Sequence, residues 1–135
     1  MLKTYSGSCH CGAVRFEVDL DIGGGTEKCN CSICTKMRLW SARVRPEAFR
    51  LLAGETELTD YRFDTKVAHH LFCRHCGVRP FEWVDLPNMT GGKYYNINVA
   101  CLDGLDIDEL VTAPVTYYDG ANDDWHSGPK ETRHL

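Results

Sequence analysis

The sequence of 135 residues lacks the features of several protein classes. It has no apolar run near the ~20 residues of a membrane-spanning helix. Its first residues, MLKTYSGSCH, contain no apolar segment of the kind found in secretory signal peptides. An excess of positive charge is also missing, since the formal net charge is −4. Nucleic-acid binding usually needs a basic surface. We therefore expect a cytoplasmic protein with no membrane contact and no nucleic-acid partner.

A helical period is also missing, and most segments alternate between apolar and polar residues as strands do. The clearest alternations are AVRFEVDL (13–20) and YYNINVA (94–100). Shorter runs predicted as strands are LWSARV, FRLLAG, LTDYRF, KVAHHLF and RPFEWV. Turn signals separate them at 21–25, 86–92 and 102–104. Single helical turns are predicted for SICTKM, RPEAF and DIDELV. The pattern predicts one all-β domain over 1–135, a sandwich or barrel-like pair of sheets, with a polar, loosely ordered tail at 119–135.

Cysteine is abundant, with eight residues, and seven of them fall into three short motifs. The motifs are SCHCG (Cys9, Cys11), CNCSIC (Cys29, Cys31, Cys34) and FCRHCG (Cys73, Cys76). In a reducing compartment, clustered cysteines bind metal more often than they form disulfides. A disulfide framework is the alternative, although C-x-C strains a bridge within the motif. Gly77, and likewise Gly12, is expected to take the positive φ that a metal-binding turn needs.

Counting ligands divides the cysteines into two predicted zinc sites, or two Zn²⁺ per chain. Cys9, Cys11, Cys73 and Cys76 make a closed four-thiolate site, which is the structural type. Cys29, Cys31 and Cys34 supply three ligands and leave the open position typical of catalytic zinc. Alternatively, a protein side chain completes this triplet and makes a second structural site. The candidates are Cys101, His10, His69, His70, His75 and His126, although Cys101 also fits a small buried apolar position.

The segments GSCHCGAVRFEV, CNCSICTK and FCRHCGVRPF occur in this order and carry a family resemblance. Over residues 4–112 the sequence resembles the glutathione-dependent formaldehyde-activating enzyme family, which includes centromere protein V. The resemblance implies a beta-tent fold of packed antiparallel sheets stapled by zinc. It implies the same division of cysteines, with Cys29, Cys31 and Cys34 at the active site. Arg79 stands in a stretch where the family more often has small or apolar residues.

The activity implied by the resemblance is the joining of glutathione and formaldehyde to S-hydroxymethylglutathione, a carbon–sulfur lyase reaction run in reverse. In that picture the glutathione thiol takes the open position at the triplet. A basic run follows the triplet (Lys36, Arg38, Arg43, Arg45, Arg50), and one or two of these residues are candidates to bind the glutathione carboxylates. The alternative is an ordinary solvated strand face. Glu82 and Asp85 carry no signal that separates them from surface carboxylates.

Two hypotheses about function therefore remain open. The first is a zinc-dependent enzyme that joins a small thiol to a small aldehyde. The second is a non-catalytic zinc-binding module for a protein partner, with both metals structural. They differ in whether the fourth position at the triplet is accessible to an added thiol.

Overall fold

The computed structural model describes residues 1–87 and 92–135, and within them the chain is mostly β-structure, as predicted. The strands are β1 (Lys3–Ser8), β2 (Arg15–Leu20), β3 (Thr26–Cys29), β4 (Ser41–Val44), β5 (Phe49–Ala53), β6 (Leu58–Tyr61), β7 (Ala68–Cys73), β8 (Phe81–Leu86), β9 (Gly92–Asn98) and β10 (Val115–Tyr118). The α-helices are α1 (Ser32–Met37) and α2 (Ile107–Thr112). Short 3-10 helices lie at Ile22–Gly24, Pro46–Ala48, Glu55–Glu57, Val99–Cys101 and Gly120–Asn122.

The strands form two sheets. The smaller has the order β1-β2-β5, and the larger has the order β10-β3-β4-β9-β8-β7-β6. The pairings within them are antiparallel with one exception, since β10 lies parallel to β3 with Tyr118 opposite Cys29. The sequence predicted antiparallel sheets and missed this parallel pair. It brings the last strand beside the cysteine triplet.

Aromatic rings join the two sheets. Phe16 of β2 and Phe49 of β5 come from the smaller sheet, and Phe81 of β8 and Tyr95 of β9 come from the larger one. The ring centroids of Phe49 and Tyr95 are 4.3 Å apart, and those of Phe49 and Phe81 are 4.6 Å apart. Phe16 is fully buried. Ring contacts at these distances add stability beyond area burial, so this cluster fixes how the sheets face each other.

The strands predicted from alternation are all present, and SICTKM forms α1 at the predicted residues. Strands β1, β3 and β10 were missed because they are short or interrupted by glycine and polar residues. The turn predicted at 86–92 lies in part outside the described residues. No helix among the described residues is long and apolar enough to cross a membrane.

We expect Gly7→Ala to destabilise the protein. A β-carbon at Gly7 would lie 2.3 Å from Cζ of the buried Phe16 ring, so the ring must move. Overpacking of this kind costs about 1–3 kcal/mol, which thermal or urea unfolding would measure. Gly23→Ala is the matched control, because the β-carbon added there meets nothing closer than 3.5 Å. Equal stability of the two variants would contradict the described packing.

Candidate metal centres

Four cysteine sulfurs converge where the two sheets meet. Cys9 and Cys11 follow β1, and Cys73 and Cys76 lie at the end of β7 and in the turn after it. The Sγ atom of Cys11 lies 3.7 Å from Sγ of Cys9 and 3.7 Å from Sγ of Cys73. All four sulfurs lie within 4.8 Å of one another. The cluster connects the β1–β2 hairpin of the smaller sheet to the β7–β8 turn of the larger one.

Two glycines and several backbone bonds form the turns that hold these sulfurs. Gly12 and Gly77 have φ of 80° and 76°, as predicted, and neither would place a β-carbon near any neighbour. The amide of Gly77 donates to the carbonyl of Cys73 at 2.8 Å, which closes the turn. The amide of Val14 donates to Sγ of Cys9 at 3.3 Å.

The sulfur spacing fits zinc. A tetrahedral ion with Zn–S distances of ~2.3 Å places its sulfurs roughly 3.8 Å apart, and Sγ of Cys11 lies 3.7 Å from both Sγ of Cys9 and Sγ of Cys73. The protons are shared unevenly in the metal-free cluster. Backbone N–H groups of Cys11 and Val78 lower the pKa of Cys76 to about 6. A backbone hydrogen bond at Ala13 lowers the pKa of Cys11, but loss of hydration and the neighbouring thiols outweigh it and raise that pKa to about 11.

The other three motif cysteines form a second cluster. Cys29 ends β3, Cys31 immediately precedes α1, and Cys34 lies within α1. Their sulfurs lie within 4.8 Å of one another, and each residue is partly buried. The first turn of α1, closed by the bond from the Thr35 amide to the Cys31 carbonyl at 3.0 Å, brings Cys34 back toward Cys31. We call Cys29, Cys31 and Cys34 the triplet.

The thiols of the triplet have strongly divergent pKa values. Hydrogen bonds from the thiols of Cys29 and Cys34 lower the pKa of Cys31 to about 2, and backbone N–H groups at the start of α1 contribute. Hydrogen bonds with Cys29 and Cys31 raise the pKa of Cys34, and burial and the charge of Glu82 add to this. The thiol of Cys31 likewise raises the pKa of Cys29. Three thiols this close to one another are a donor set that suits an added cation.

No fourth ligand atom from a histidine, cysteine or carboxylate joins the triplet within residues 1–87 and 92–135. Three of the candidate histidines pair with carboxylates instead. His69 contacts Asp60 at 2.7 Å, His70 contacts Glu82 at 2.7 Å and His75 contacts Glu57 at 2.6 Å. Cys101 packs against the hydrophobic core, in agreement with its alternative interpretation as a small apolar residue. His10 and His126 are exposed and belong to neither cluster.

The chain after β10 packs against the triplet. Asn30, between two triplet cysteines, donates through Nδ2 to Asp119 Oδ1 at 2.8 Å and accepts through Oδ1 from the Ala121 amide at 2.9 Å. Gly120 is thereby held so close that a β-carbon on it would lie 2.8 Å from Sγ of Cys29. The same β-carbon would lie 2.8 Å from the Trp125 ring. The tail expected to be loosely ordered thus contains a turn fastened to the triplet.

A buried polar cluster lies behind α1. His70 and Glu82 are 5% and 8% exposed, and Asn96 donates through Nδ2 to Glu82 Oε1 at 3.1 Å. Glu82 could not be recognised from the sequence, because its position in an alternating strand looks like that of a surface carboxylate. Of the basic run, Arg43 pairs with Glu27 at 3.1 Å and Arg50 pairs with Asp19 at 2.9 Å. These two guanidinium groups already have carboxylate partners.

Comparison with known proteins agrees with this geometry. A family model described as "Glutathione-dependent formaldehyde-activating enzyme" matches residues 4–118. The chain belongs to that family. The fold is also similar to the crystal structure of a Rhodobacter sphaeroides protein determined in structural genomics. That protein is 34% identical, with a TM-score of 0.68, and the match covers 82% of this chain and 99% of the other. Membership in the formaldehyde-activating family was predicted from the three cysteine motifs and is confirmed.

The family match ends at Tyr118, just before the turn that packs on the triplet. Asn30 and Gly120, which shape that contact, were missed by sequence reasoning. A signal was present, since Asp119-Gly120 is a typical turn dipeptide. Nothing in the sequence placed that turn beside Cys29, because this depends on the parallel pairing of β10 with β3.

We expect Gly120→Ala to displace the 119–125 turn from the triplet. The added methyl group cannot fit between Cys29 and Trp125 at the described distances, so the turn must move. In metal-free protein, Cys29 and Cys31 should then react severalfold faster with a thiol reagent, as measured by peptide mass spectrometry. Gly23→Ala is the control, and Cys9 and Cys73 should react at an unchanged rate in both variants. Unchanged reactivity of Cys29 would contradict the described contact.

Proposed function

We propose that this protein is a zinc-dependent carbon–sulfur lyase of the formaldehyde-activating family. It joins a thiol such as glutathione to a small aldehyde at the triplet. When the thiol and the aldehyde are joined, the thiol S–H bond breaks, a bond forms between sulfur and the carbonyl carbon, and the proton ends on the carbonyl oxygen. The observation that carries the proposal is the cluster of three sulfurs with no fourth ligand atom from the described residues. This is the ligand number of catalytic zinc sites.

The chain's own residues suit this role in three ways. The triplet sulfurs supply a soft, negatively charged donor set, which favours zinc. Zinc, when bound there, lowers the pKa of a nearby thiol and polarises a carbonyl group. The 119–125 turn packs against Cys29 and Cys31 on one side. Gly120 has no side chain, and this lets the turn lie directly against Sγ of Cys29.

We propose that the four-cysteine cluster holds a second, structural zinc. Its four sulfurs lie within 4.8 Å of one another, two of their separations are 3.7 Å, and Cys9 and Cys73 are almost completely buried. Four thiolates leave no position for a substrate. The expected role of Cys9, Cys11, Cys73 and Cys76 is therefore to fix the smaller sheet on the larger one. The complete protein would bind two Zn²⁺.

The alternative is a non-catalytic zinc module that binds a protein partner. One observation favours it, namely the close packing of the Gly120 turn against Cys29 and Cys31. If that turn closes the site, an added thiol cannot reach the metal. Accessibility of the triplet to thiols therefore separates the two functions.

Serine substitutions should distinguish the two clusters. We expect Cys73→Ser to lower the melting temperature by at least ~10 °C, because a structural zinc site contributes several kcal/mol to folding. We expect Cys29→Ser to stay within a few degrees of the wild type while losing turnover of S-hydroxymethylglutathione. Calorimetry and a coupled formaldehyde assay measure the two effects. Equal melting temperatures for Cys73→Ser and wild type would contradict the structural role, and full turnover by Cys29→Ser would contradict the catalytic one.

Metal removal should also separate the clusters. Elemental analysis of protein purified without chelator should give two zincs per chain, falling to one after mild chelation. Cobalt loaded into the vacated site should change its absorption spectrum when glutathione is added. Two zincs that both resist chelation, with a cobalt spectrum insensitive to glutathione, would favour the non-catalytic module.

A further inference from the structure

A pocket of about 230 Å³ lies at the C-terminal end of α1. The described residues that line it are Met37, Leu39, Gly77, Arg79 and Asn98. At ~30 Å³ per water molecule it has room for roughly seven waters, and so for a carboxylate and the atoms next to it. Arg79 is the one charged residue among those lining residues. A narrower cleft shares four of these residues and continues inward to His70 and Glu82.

The backbone and the guanidinium group of Arg79 each have a contact that positions them, but one nitrogen of the guanidinium group has no hydrogen-bond partner among the described residues. The Nδ2 atom of Asn98 donates to the Arg79 carbonyl at 2.9 Å, and the guanidinium carbon lies 5.5 Å from the centre of the Phe72 ring. Its Nη1 atom is buried and has no hydrogen-bond partner among the described residues. A buried, unsatisfied donor on a permanent cation is costly. Such groups in folded proteins call for an explanation, and a ligand is one.

The neighbouring carboxylate does not fill this gap. Glu82 is engaged by His70 and by Asn96, at 2.7 Å and 3.1 Å. It forms no ion pair with Arg79 within the described part of the chain. The larger pocket is therefore lined by one cation without a carboxylate partner among the described residues, and a carboxylate is the natural partner of a guanidinium group.

The pocket lies within reach of the triplet. Cys34 and Met37 are three residues apart on α1 and so share one face of the helix. The helix rises only about 4.5 Å between them. Glu82, which lines the inner cleft, is close enough for its charge to act on Cys34. In a peptide thiol, the distance from a cysteine sulfur to the carboxylate of the next residue is roughly 7 Å. A thiol at the triplet can therefore place such a carboxylate in the pocket.

We propose that Arg79 binds a carboxylate of the thiol substrate and makes the triplet selective for acidic thiols over neutral ones. The proposal rests on the proposed function for the position of the thiol at the triplet. The contact between Arg79 and the carboxylate does not depend on that function. Arg79 positions the substrate and takes no part in bond formation. The basic residues that were expected from the sequence to bind the carboxylates did not include Arg79, and this pocket was not predicted.

The first test is calorimetric binding of glutathione and of glutathione dimethyl ester to the zinc-loaded protein. The wild type should bind glutathione about tenfold more tightly than the ester, since the ester has no carboxylate. In Arg79→Gln the Kd for glutathione should rise about tenfold to a hundredfold, as loss of a charge-assisted hydrogen bond predicts, while the Kd for the ester stays the same. Arg79→Lys should be intermediate, because it keeps the charge but not the fork. Arg15→Gln, which removes an exposed arginine from β2, should change neither Kd.

Thermal stability provides a second readout. A ligand-binding Arg79 and a purely structural Arg79 predict opposite changes in the melting temperature of Arg79→Gln. If Arg79 serves a ligand, Arg79→Gln should melt at or above the wild-type temperature, because it removes an unsatisfied buried donor. A clear fall in melting temperature, with unchanged glutathione binding, would overturn the proposal and assign Arg79 to packing.

A ligand without a free thiol separates this proposal from the proposed reaction. S-methylglutathione keeps both carboxylates but has no S–H group. If no thiol–aldehyde pair turns over, yet S-methylglutathione binds the wild type and not Arg79→Gln, the reaction is overturned and the carboxylate site stands. If glutathione turns over but its Kd is the same in Arg79→Gln, the reaction stands and the carboxylate site is overturned. If neither glutathione nor S-methylglutathione binds the wild type, the carboxylate site is overturned.

Discussion

The structure depends on bringing four cysteine sulfurs from two distant parts of the chain to within 4.8 Å of one another. Cys11 and Cys73 are 62 positions apart in sequence, yet their sulfurs lie 3.7 Å apart between the two sheets. The aromatic cluster of Phe16, Phe49 and Tyr95 packs these sheets face to face. The smaller sheet has three short strands, which alone bury little apolar surface. The sulfur cluster and the aromatic cluster together fix its position, and the larger sheet that it covers carries the candidate site.

The triplet is assembled differently, by local chain geometry and a distant support. A strand end, a bend and one helical turn place its three sulfurs together within six residues. The support comes from Asn30, whose amide holds the turn at 119–121. The polar interior around His70 and Glu82 lies behind the same helix. The candidate site is therefore enclosed by the tail on one side and by a charged, hydrogen-bonded interior on the other.

Much of this could be predicted from local sequence. Alternation identified the longer strands because one face is buried and the other is wet, and α1 was predicted as a single helical turn at SICTKM. The cysteine motifs predicted the two clusters, since sulfurs at these spacings can turn toward one ion. The positions of Glu82 and Arg79 beside the candidate site could not be predicted. They depend on which strands are neighbours in the sheet and on what packs above them, and neither leaves a periodic signal.

The parallel pairing of β10 with β3 also sets the order in which the molecule can be built. The last cysteine of the four-cysteine cluster is residue 76, so that cluster can close before any residue of β9 or β10 has left the ribosome. The support of the triplet joins Asn30 to Asp119, a separation of 89 residues, and so it can form only after residue 119 has been made. Contacts between distant residues also form slowly. Synthesis thus leaves an interval in which Cys29, Cys31 and Cys34 are grouped by α1 but uncovered, exposed to oxidants and open to metal capture.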